Sequence, residues 1–209
     1  MSNTLYWPVA GAVLLAALAG LALLIWRSRH QFSRRQAILL ASLQEAGMSV
    51  EPTEEGFRGE YRGFPVEVAL MAPDGDESAV IRLTLTNEGN RRFWLTNSNI
   101  SALNTMLEIN WNINPGERRH LKRAVMGKPE VDDRLFLLSD PPGYIVRLLA
   151  KNPRLLRLFT IEQRGFSIGL FGATLEVHPF IRDDRTLSGG DWVPYFEMAY
   201  EIARMVNLY

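Results

Sequence analysis

The strongest constraint on this chain is an apolar segment close to its start. Residues 5–26, LYWPVAGAVLLAALAGLALLIW, contain no charged side chain. About 20 consecutive apolar residues are enough to cross the hydrocarbon core of a bilayer as a helix. Tyr6 and Trp7 at one end and Trp26 at the other suit the two membrane interfaces, where such amphipathic rings are enriched. The segment therefore predicts one N-terminal transmembrane helix.

A cleaved signal peptide is the alternative interpretation of the same segment. It would require a positively charged start and a short apolar stretch ending in an A-x-A-like cleavage site. Residues 1–4 carry no Lys or Arg, and no such site follows the apolar run. These features favour an anchor that is not removed.

The charge that flanks the segment predicts its orientation. The sequence RSRHQFSRR follows directly and contains Arg27, Arg29, Arg34 and Arg35. Cytoplasmic flanks of membrane helices carry an excess of Lys and Arg. We therefore expect the N-terminus outside and everything after the segment in the cytoplasm. The four arginines are also candidates for contact with anionic lipid headgroups.

Small residues form a stripe along the apolar segment. Ala12, Ala16 and Gly20 are spaced four residues apart, so they would lie on one face of a helix. Such a stripe allows a second membrane helix to approach closely. Ala and Gly are also common in membrane helices for other reasons, and both interpretations stay open.

The remaining composition excludes several classes of function. Lys plus Arg and Asp plus Glu number 23 each, so no net field attracts nucleic acid. The absence of cysteine excludes disulfides, thiolate catalysis and Cys-ligated metals. His30, His120 and His178 fit no metal-ligand spacing, and neither a phosphate-binding loop nor a nucleophile elbow occurs. We therefore predict no metal, no cofactor and no nucleic-acid partner, and any small-molecule ligand stays unassigned.

The order of predicted elements indicates an α+β fold. A helix from Ser33 to Gly47 is followed by alternating apolar and polar residues, including the hairpin GEYRGFPVEVAL with its turn at Gly63. Further strands are predicted at AVIRLTLT, RFWLT, LEINWNIN, FTIEQ, FSIGLF and TLEVHPF, and a last helix begins near Asp191. The first four or five strands should form an antiparallel meander. We predict residues 1–32 as anchor and basic flank, and residues 33–209 as a soluble α+β domain of antiparallel sheet and packed helices.

Two short helices should carry a positively charged face. The sequence DPPGYIVRLLAKNPRLLRLF predicts one helix on each side of Asn152-Pro153. Their polar face carries four basic residues and no acid: Arg147, Lys151, Arg154 and Arg157. This face either lies on the membrane surface or is solvated and paired with acids from elsewhere in the fold.

The stretch GKPEVDDRLFLLSDPPG, residues 127–143, looks like a catalytic site but predicts scaffold. Adjacent acids such as Asp132 and Asp133 usually point apart, so adjacency alone makes no acid/base pair. We expect Asp132 to brace a turn and residues 136–138 to form a buried strand. Either Ser139 or Asp140 should cap the helix that follows the prolines.

The same stretch carries a resemblance to a known group. GKPEVDDRLFLLSD, Gly127 through Asp140, followed by LLAKNPRLLRL, resembles uncharacterised bacterial single-pass membrane proteins with a soluble α+β domain. That group shows the same order of anchor, helix, a G-x-Y-R-G-x-x-V hairpin as in Gly59 to Val66, and a late strand pair before a terminal helix. The resemblance implies this architecture for nearly the whole soluble part, and it implies no established activity.

Together these patterns predict a membrane-anchored binding or assembly module without catalytic activity. We expect it to be an accessory component of a larger inner-membrane complex, with membrane lipid and other membrane-protein subunits as its partners. One rival is an enzyme that acts on a lipid or lipid-linked substrate through Asp132, Asp140 or His178. Another is a domain that senses the lipid surface through its basic helices. Polar groups that converge in a closed pocket would favour the enzyme.

Overall fold

The computed structural model describes residues 6–54, 56–70, 79–86, 90–97, 119–161, 165–179 and 189–208. The chain divides into two compact units, Met1–Leu39 and Leu40–Tyr209. The predicted strand LEINWNIN lies outside the described residues. The predicted boundary after residue 32 stays a prediction.

The described residues of the first unit belong to one helix. Helix α1 spans Tyr6–Glu45 without the break that the sequence suggested before Ser33. Within the described part of the chain, no helix combines the length and the apolar character that crossing a membrane requires. Several large apolar side chains of α1 are exposed: Leu14, Leu15, Leu18, Leu21, Leu23 and Trp26.

Gly47 terminates helix α1, as the sequence predicted, and lies two residues after the last helical residue, Glu45. Gly47 has a φ of 78°, a left-handed conformation that costs glycine no steric strain. Its N–H donates to the Gln44 carbonyl at 2.9 Å, and the Met48 N–H donates to the Leu43 carbonyl at 3.0 Å. These two bonds satisfy carbonyls that would otherwise be unpaired at the helix end.

A single antiparallel sheet organises the second unit. In the described residues it has nine strands in the order β1-β2-β3-β4-β9-β8-β5-β7-β6. Their bounds are β1 Ser49–Pro52, β2 Gly56–Tyr61, β3 Phe64–Leu70, β4 Ala79–Thr84, β5 Arg92–Thr96, β6 Lys122–Ala124, β7 Phe136–Asp140, β8 Phe166–Phe171 and β9 Thr174–Pro179. The predicted meander is confirmed for the hairpin and AVIRLTLT, which form the neighbours β2, β3 and β4, but it is wrong for RFWLT, because β5 lies between β8 and β7.

The described residues of the second unit contain four further helices. They are α2 (Pro129–Asp132), α3 (Tyr144–Ala150), α4 (Pro153–Ile161) and α5 (Gly189–Leu208). The two short helices around Asn152-Pro153 are thereby confirmed, and α5 begins two residues before the predicted Asp191. The predicted strand FTIEQ is wrong, because α4 continues to Ile161. Phe159 lies one turn after Leu155, and both are buried, so helical rather than alternating spacing places them in the core.

Helices α3, α4 and α5 pack against one face of the sheet. The Phe159 and Phe166 rings lie 5.4 Å apart between α4 and β8, and the Tyr61 and Phe196 rings lie 5.5 Å apart between β2 and α5. Burial of one large apolar side chain of this kind contributes about 1.5 to 3 kcal/mol. We call this the helix face. The opposite side, called the open face, carries half-exposed side chains such as Trp94 and Glu176.

Candidate functional site

The predicted basic face on α3 and α4 is exposed. Arg147, Lys151, Arg154 and Arg157 all have solvent-exposed side chains. The Arg154 guanidinium, however, lies 3.6 Å from the Glu197 carboxylate and 3.5 Å from the Glu201 carboxylate. For Arg154 the pairing with acids elsewhere in the fold is therefore confirmed, while contact of this face with lipid stays a prediction.

The predicted contacts of the N-terminal segment are described only in part. The side chains of Ala12, Arg27, Arg29, Arg34 and Arg35 lie outside the described residues. Ala16 and Gly20 are exposed, and apart from its chain neighbours and the backbone of its own helix, no heavy atom lies within 4 Å of the position that a Cβ on Gly20 would take. Approach of a second membrane helix along this stripe stays a prediction.

Asp132 acts as scaffold, as expected. Its carboxylate accepts the Met126 N–H at 2.7 Å and the Lys128 N–H at 3.0 Å, one on each oxygen. The side chain thus closes the turn that leads into α2. Asp133 is exposed at the end of that helix, so the two adjacent acids form no pair.

Two expectations for the same stretch are wrong. Helix α3 is capped by Gly143, at a φ of 77°, with no side-chain hydrogen bond. Neither Ser139 nor Asp140 caps it, because the two prolines and Gly143 separate them from the first helical residue. Phe136 and Leu138 are also only half-buried, while Leu137 between them is fully buried. A strand points successive side chains to opposite faces, so only Leu137 reaches the core.

The residues named for the rival enzyme do not converge. Asp140 and His178 both lie on the open face, on β7 and β9. The registers through β5 and β8 place them three strand spacings and four residues apart. At about 4.8 Å per strand and 3.3 Å per residue, their Cα atoms are roughly 20 Å apart. Asp132 is engaged in its turn, and the described residues contain no cluster that could hold a metal ion.

A different set of side chains does converge, at the tip of the β2–β3 hairpin. We call it the arginine–glutamate cluster. It joins that tip to the start of α4 and to α5, and its members are Tyr61, Arg62, Asn152, Arg154, Glu197, Tyr200, Glu201 and Arg204.

Glu197 is the centre of one half of the cluster. The Tyr61 hydroxyl donates to its carboxylate at 2.7 Å, and two nitrogens of the Arg62 guanidinium lie at 2.6 and 3.2 Å. Arg154 adds a longer contact at 3.6 Å. Charge-assisted, bidentate hydrogen bonds of this kind are about twice as strong as neutral ones. They fix the hairpin tip against α5.

Glu201 is the centre of the other half. Its side chain is only 4% exposed, and it accepts the Asn152 amide at 3.2 Å and the Arg204 guanidinium at 3.0 Å. Arg154 lies at 3.5 Å. The Asn152 oxygen meanwhile accepts the Leu155 N–H at 3.1 Å, so Asn152 caps the start of α4. One side chain therefore links the cap of α4 to the buried acid of α5.

The hairpin turn holds Arg62 in an uncommon conformation. Arg62 has a φ of 52° and Gly63 a φ of 88°, so both lie in the left-handed region. This conformation costs a non-glycine residue about 1 to 2 kcal/mol. The Arg62 guanidinium lies 5.3 Å from the Tyr61 ring centroid and 5.0 Å from that of Tyr200. Its contacts with these rings and with Glu197 offset the strain.

The electrostatics of the cluster suit structure and anion binding better than proton transfer. Burial, and after it the hydrogen bond to Glu197, raises the pKa of Tyr61 to about 12. A phenol with that pKa does not give up its proton near neutral pH. Three arginines face two glutamates, and the side chains of Arg62, Arg154 and Arg204 are between 49% and 67% exposed.

The open face carries a second charge pattern, which sequence reasoning missed. The strand registers align one residue from every strand into a single row. From β1 to β6 the row reads Glu51, Arg58, Glu67, Arg82, Glu176, Gly169, Trp94, Leu138 and Arg123. Its first five members alternate in sign, which places opposite charges directly across each strand pair and stabilises the register.

Glu176 is the best-partnered acid of this row. It lies 3.3 Å from the His178 ring nitrogen and 2.9 Å from the Arg82 Nε. The hydrogen bond from His178 lowers the pKa of Glu176, and Arg82 acts in the same direction, against burial, which raises it. The net direction is downward, so Glu176 is held as a carboxylate.

The fold and these sites define a one-sheet α+β domain with charged clusters and no converging catalytic set among the described residues. No protein-family model matches the sequence, and no curated protein matches it either. The fold is similar to the crystal structure of the mycobacterial trehalose monomycolate transport factor A, TtfA, with a TM-score of 0.51 and 11% sequence identity. The match covers 82% of this chain and 95% of that one. At this identity the likeness shows a shared α+β fold.

Proposed function

We propose that this chain is a membrane-anchored, non-catalytic binding or assembly module, acting as an accessory component of a larger bacterial inner-membrane complex. The observation that carries the proposal is the uncharged run of residues 5–26 followed directly by Arg27, Arg29, Arg34 and Arg35. Such a run is long enough to span a bilayer, and the positive flank orients it. The N-terminus then lies outside and the α+β domain is cytoplasmic.

The exposed apolar side chains of α1 support an apolar environment for this segment. Its exposed leucines and Trp26 are between 54% and 68% accessible. Elsewhere in the described chain, only Val125 and Val193 are exposed large apolar residues. Removal of apolar surface from water stabilises by about 25 cal/mol per Å². Lipid, or a second membrane helix along Ala16 and Gly20, would provide that stabilisation.

The partnered acids of the domain support binding rather than catalysis. Asp132 accepts two backbone N–H groups, and Glu197 and Glu201 each accept several side-chain donors. A general base needs an oxygen that reaches the proton it abstracts. These carboxylate oxygens are already engaged, which favours structural roles for them.

The fold likeness supports a lipid-related accessory role. The protein it resembles is a mycobacterial trehalose monomycolate transport factor. An accessory module on the same fold would act through its surfaces. We expect membrane lipid and other membrane-protein subunits as partners, the former through the exposed Arg147 and Arg157.

Topology is the first test of the proposal. We fuse a fluorescent protein or alkaline phosphatase to Tyr209 of the full chain and compare it with a variant in which Arg27, Arg29, Arg34 and Arg35 are glutamines. We expect fluorescence without phosphatase activity for the natural sequence, and a mixed orientation for the variant, because the flanking charge sets the direction. Phosphatase activity of the natural sequence would reverse the topology, and release by alkaline carbonate would refute the anchor.

Association is the second test. The full chain, extracted from native membranes in a mild detergent, should migrate with partner proteins at a size well above its own 23.7 kDa plus detergent. A matched variant lacking residues 1–32 should lose this association if the partners are recognised within the membrane. A full chain that migrates alone in every mild detergent would contradict the accessory role.

Lipid-surface sensing is a second candidate function, favoured by the exposed basic face of α3 and α4. Arg147 and Arg157 are the members for direct comparison, since Arg154 is engaged with two glutamates. Replacing both with glutamine should weaken binding to vesicles of phosphatidylglycerol but not to phosphatidylcholine, and added salt should have the same effect. Binding to both vesicles that neither salt nor the variant changes would exclude this function.

A further inference from the structure

Two buried hydroxyl groups near the end of β7 have no hydrogen-bond partner. They are the Ser139 Oγ and the Tyr144 hydroxyl. Among the described residues, the other buried side-chain atoms in this condition are Thr53 Oγ1, Arg92 Nε and Trp192 Nε1. Buried polar groups are nearly always partnered, so each exception asks for a physical explanation.

The two hydroxyl-bearing residues lie at the same end of the sheet. Ser139 of β7 is fully buried and pairs with Phe93 of β5. The Tyr144 ring, 7% exposed, lies 6.3 Å from the ring of that same Phe93. Both side chains are therefore on the helix face, close to where β7 ends and α3 begins.

Two positive side chains border this position. The Arg91 guanidinium lies 5.2 Å from the Tyr144 ring centroid. Burial raises the pKa of Tyr144 and the nearby Arg91 opposes this shift, although no hydrogen bond to the hydroxyl has the required length and angle. Lys122 of β6 pairs directly with Ser139, so it points to the same face, and it is exposed. Asp140, the adjacent acid, points to the open face and lies opposite Arg92 in the register of β5 and β7.

We propose that Ser139, Tyr144 and Arg91, with Lys122 at the rim, form a binding site for a phosphoryl group carried by a lipid headgroup or by a soluble phosphate compound. All four side chains donate hydrogen bonds, and two are cations. They come from four separate positions of the chain, which suits the several oxygens of a phosphoryl group better than the two of a carboxylate. A guanidinium also matches phosphate geometry.

This arrangement explains why the Ser139 and Tyr144 hydroxyls have no hydrogen-bond partner. A donor whose partner is the ligand has none in the ligand-free protein, and it recovers the cost of its burial when the ligand binds. This site goes beyond the proposed function, because it requires neither the anchor nor the partner complex.

The test uses the full chain in dodecyl maltoside and follows its melting temperature. Inorganic phosphate should raise that temperature in a saturable manner, whereas chloride at matched ionic strength should not. Ser139→Ala and Tyr144→Phe should leave the basal melting temperature unchanged or higher, since each removes an unpartnered buried group. Each of these variants, and Arg91→Gln, should weaken phosphate binding at least about tenfold, as expected for the loss of one hydrogen bond to a charged group. Arg58→Gln, an exposed arginine on β2, is the matched control and should not change it.

A soluble lipid distinguishes the two sources of the phosphoryl group. A lipid headgroup is supported if dihexanoylphosphatidylglycerol binds at least about tenfold more tightly than inorganic phosphate and if the same variants weaken its binding. Equal or weaker binding of the lipid, with the same dependence on the variants, would support a soluble phosphate compound.

Three results would overturn the site. The first is no response to phosphate by the natural sequence. The second is a response that chloride reproduces, or that the Ser139 and Tyr144 variants leave unchanged, which would indicate an adventitious ion only. The third is a lower basal melting temperature of both hydroxyl variants without a phosphate response, which would indicate a structural water. A failure of this kind leaves the topology test unaffected, so the two proposals are refuted separately.

Discussion

Asn152 offers the sharpest test of the arginine–glutamate cluster, because its side-chain oxygen and nitrogen make hydrogen bonds with different roles. Its oxygen caps α4 through the Leu155 N–H, and its amide donates to the buried Glu201. Substitutions that keep one role and remove the other separate the two contributions. We compare Asn152→Ser, Asn152→Ala and Asn152→Asp.

The expected costs follow from the geometry of each replacement. Serine keeps the cap but loses a hydrogen bond to a charged group, which costs about 1.5 to 3 kcal/mol. Alanine also loses the cap and adds about 1 kcal/mol. Aspartate keeps the cap but places a second carboxylate where the amide met Glu201 at 3.2 Å. Two like charges at that distance repel by about 5 kcal/mol at an effective dielectric constant near 20.

Protonation limits the repulsion and makes it depend on pH. One carboxyl of ordinary pKa near 4.3 takes up a proton at pH 7 for about 3.7 kcal/mol, so the repulsion costs no more than that. The pair has a raised pKa in the folded state, so stability is recovered as pH falls. Between pH 7 and pH 5 the aspartate variant should regain up to about 2.7 kcal/mol relative to the serine variant. Arg154 and Arg204 on the same acid lower this figure, and we expect about 1 to 3 kcal/mol.

Pulse proteolysis in urea measures these differences on the full chain in detergent. At pH 7 stability should fall in the order natural sequence, Ser, Ala, Asp, and only the Asp variant should approach the Ser variant at pH 5. If the Asp and Ser variants of Asn152 are equally stable at both pH values, the Asn152–Glu201 contact does not form in solution. The cluster would then not link α4 to α5.

Three further outcomes are expected from single positions. Asp132→Asn should cost about 1 kcal/mol of stability and Asp132→Ala about 2, because asparagine keeps one of the two acceptor oxygens. Function in the cell should follow the amount of folded protein. An abundant Asp132→Asn variant that fails to complement a deletion would indicate a catalytic role. The pKa of Tyr61 is about 12 in the folded state and about 10 in the unfolded state. Relative to Tyr61→Phe, the Tyr61 hydroxyl should therefore contribute about 1 to 2 kcal/mol to the free energy of unfolding below pH 10, after allowance for solvent screening. This contribution should disappear as the pH rises to 12. Phe136→Ala should cost only about 1 to 2 kcal/mol and Leu137→Ala about 2 to 5, because Phe136 is half-buried and Leu137 fully buried. Equal costs in urea unfolding would contradict the assignment of Phe136 to the open face and Leu137 to the helix face.

Local patterns in the sequence were sufficient to predict most individual elements. The hairpin turn at Arg62-Gly63, the strands of residues 79–84, 166–171 and 174–179, and the stop at Gly47 all follow from alternation and turn residues. The strand predicted at FTIEQ failed because five residues fit a short helix and a short strand equally well. Its context, the last turn of α4, depends on Phe159 packing against Phe166.

The sites depend on partners that are distant in the sequence. Tyr61 and Glu197 are separated by 136 positions, and Arg82 and Glu176 by 94. No periodicity connects such residues, since only the order of strands in the sheet brings them together. The turn could be predicted from G-x-Y-R-G, but the role of Arg62 could not, because its partner Glu197 lies on α5. The capping expectation for Ser139 failed for a local reason, because two prolines delay the start of α3.

The described acids and donors are distributed unevenly, and this distribution favours a protein that receives anions. Glu176, Glu197 and Glu201 are each engaged by arginine, histidine, tyrosine or asparagine donors. The unpartnered buried groups near the end of β7 are instead hydroxyls that can donate, beside the Arg91 guanidinium. Engaged acids cannot repel an incoming anion strongly, because their charge is neutralised nearby, whereas unengaged donors gain a partner when it binds. The proposed phosphoryl site therefore predicts that an anionic lipid or a phosphate compound binds at the end of β7.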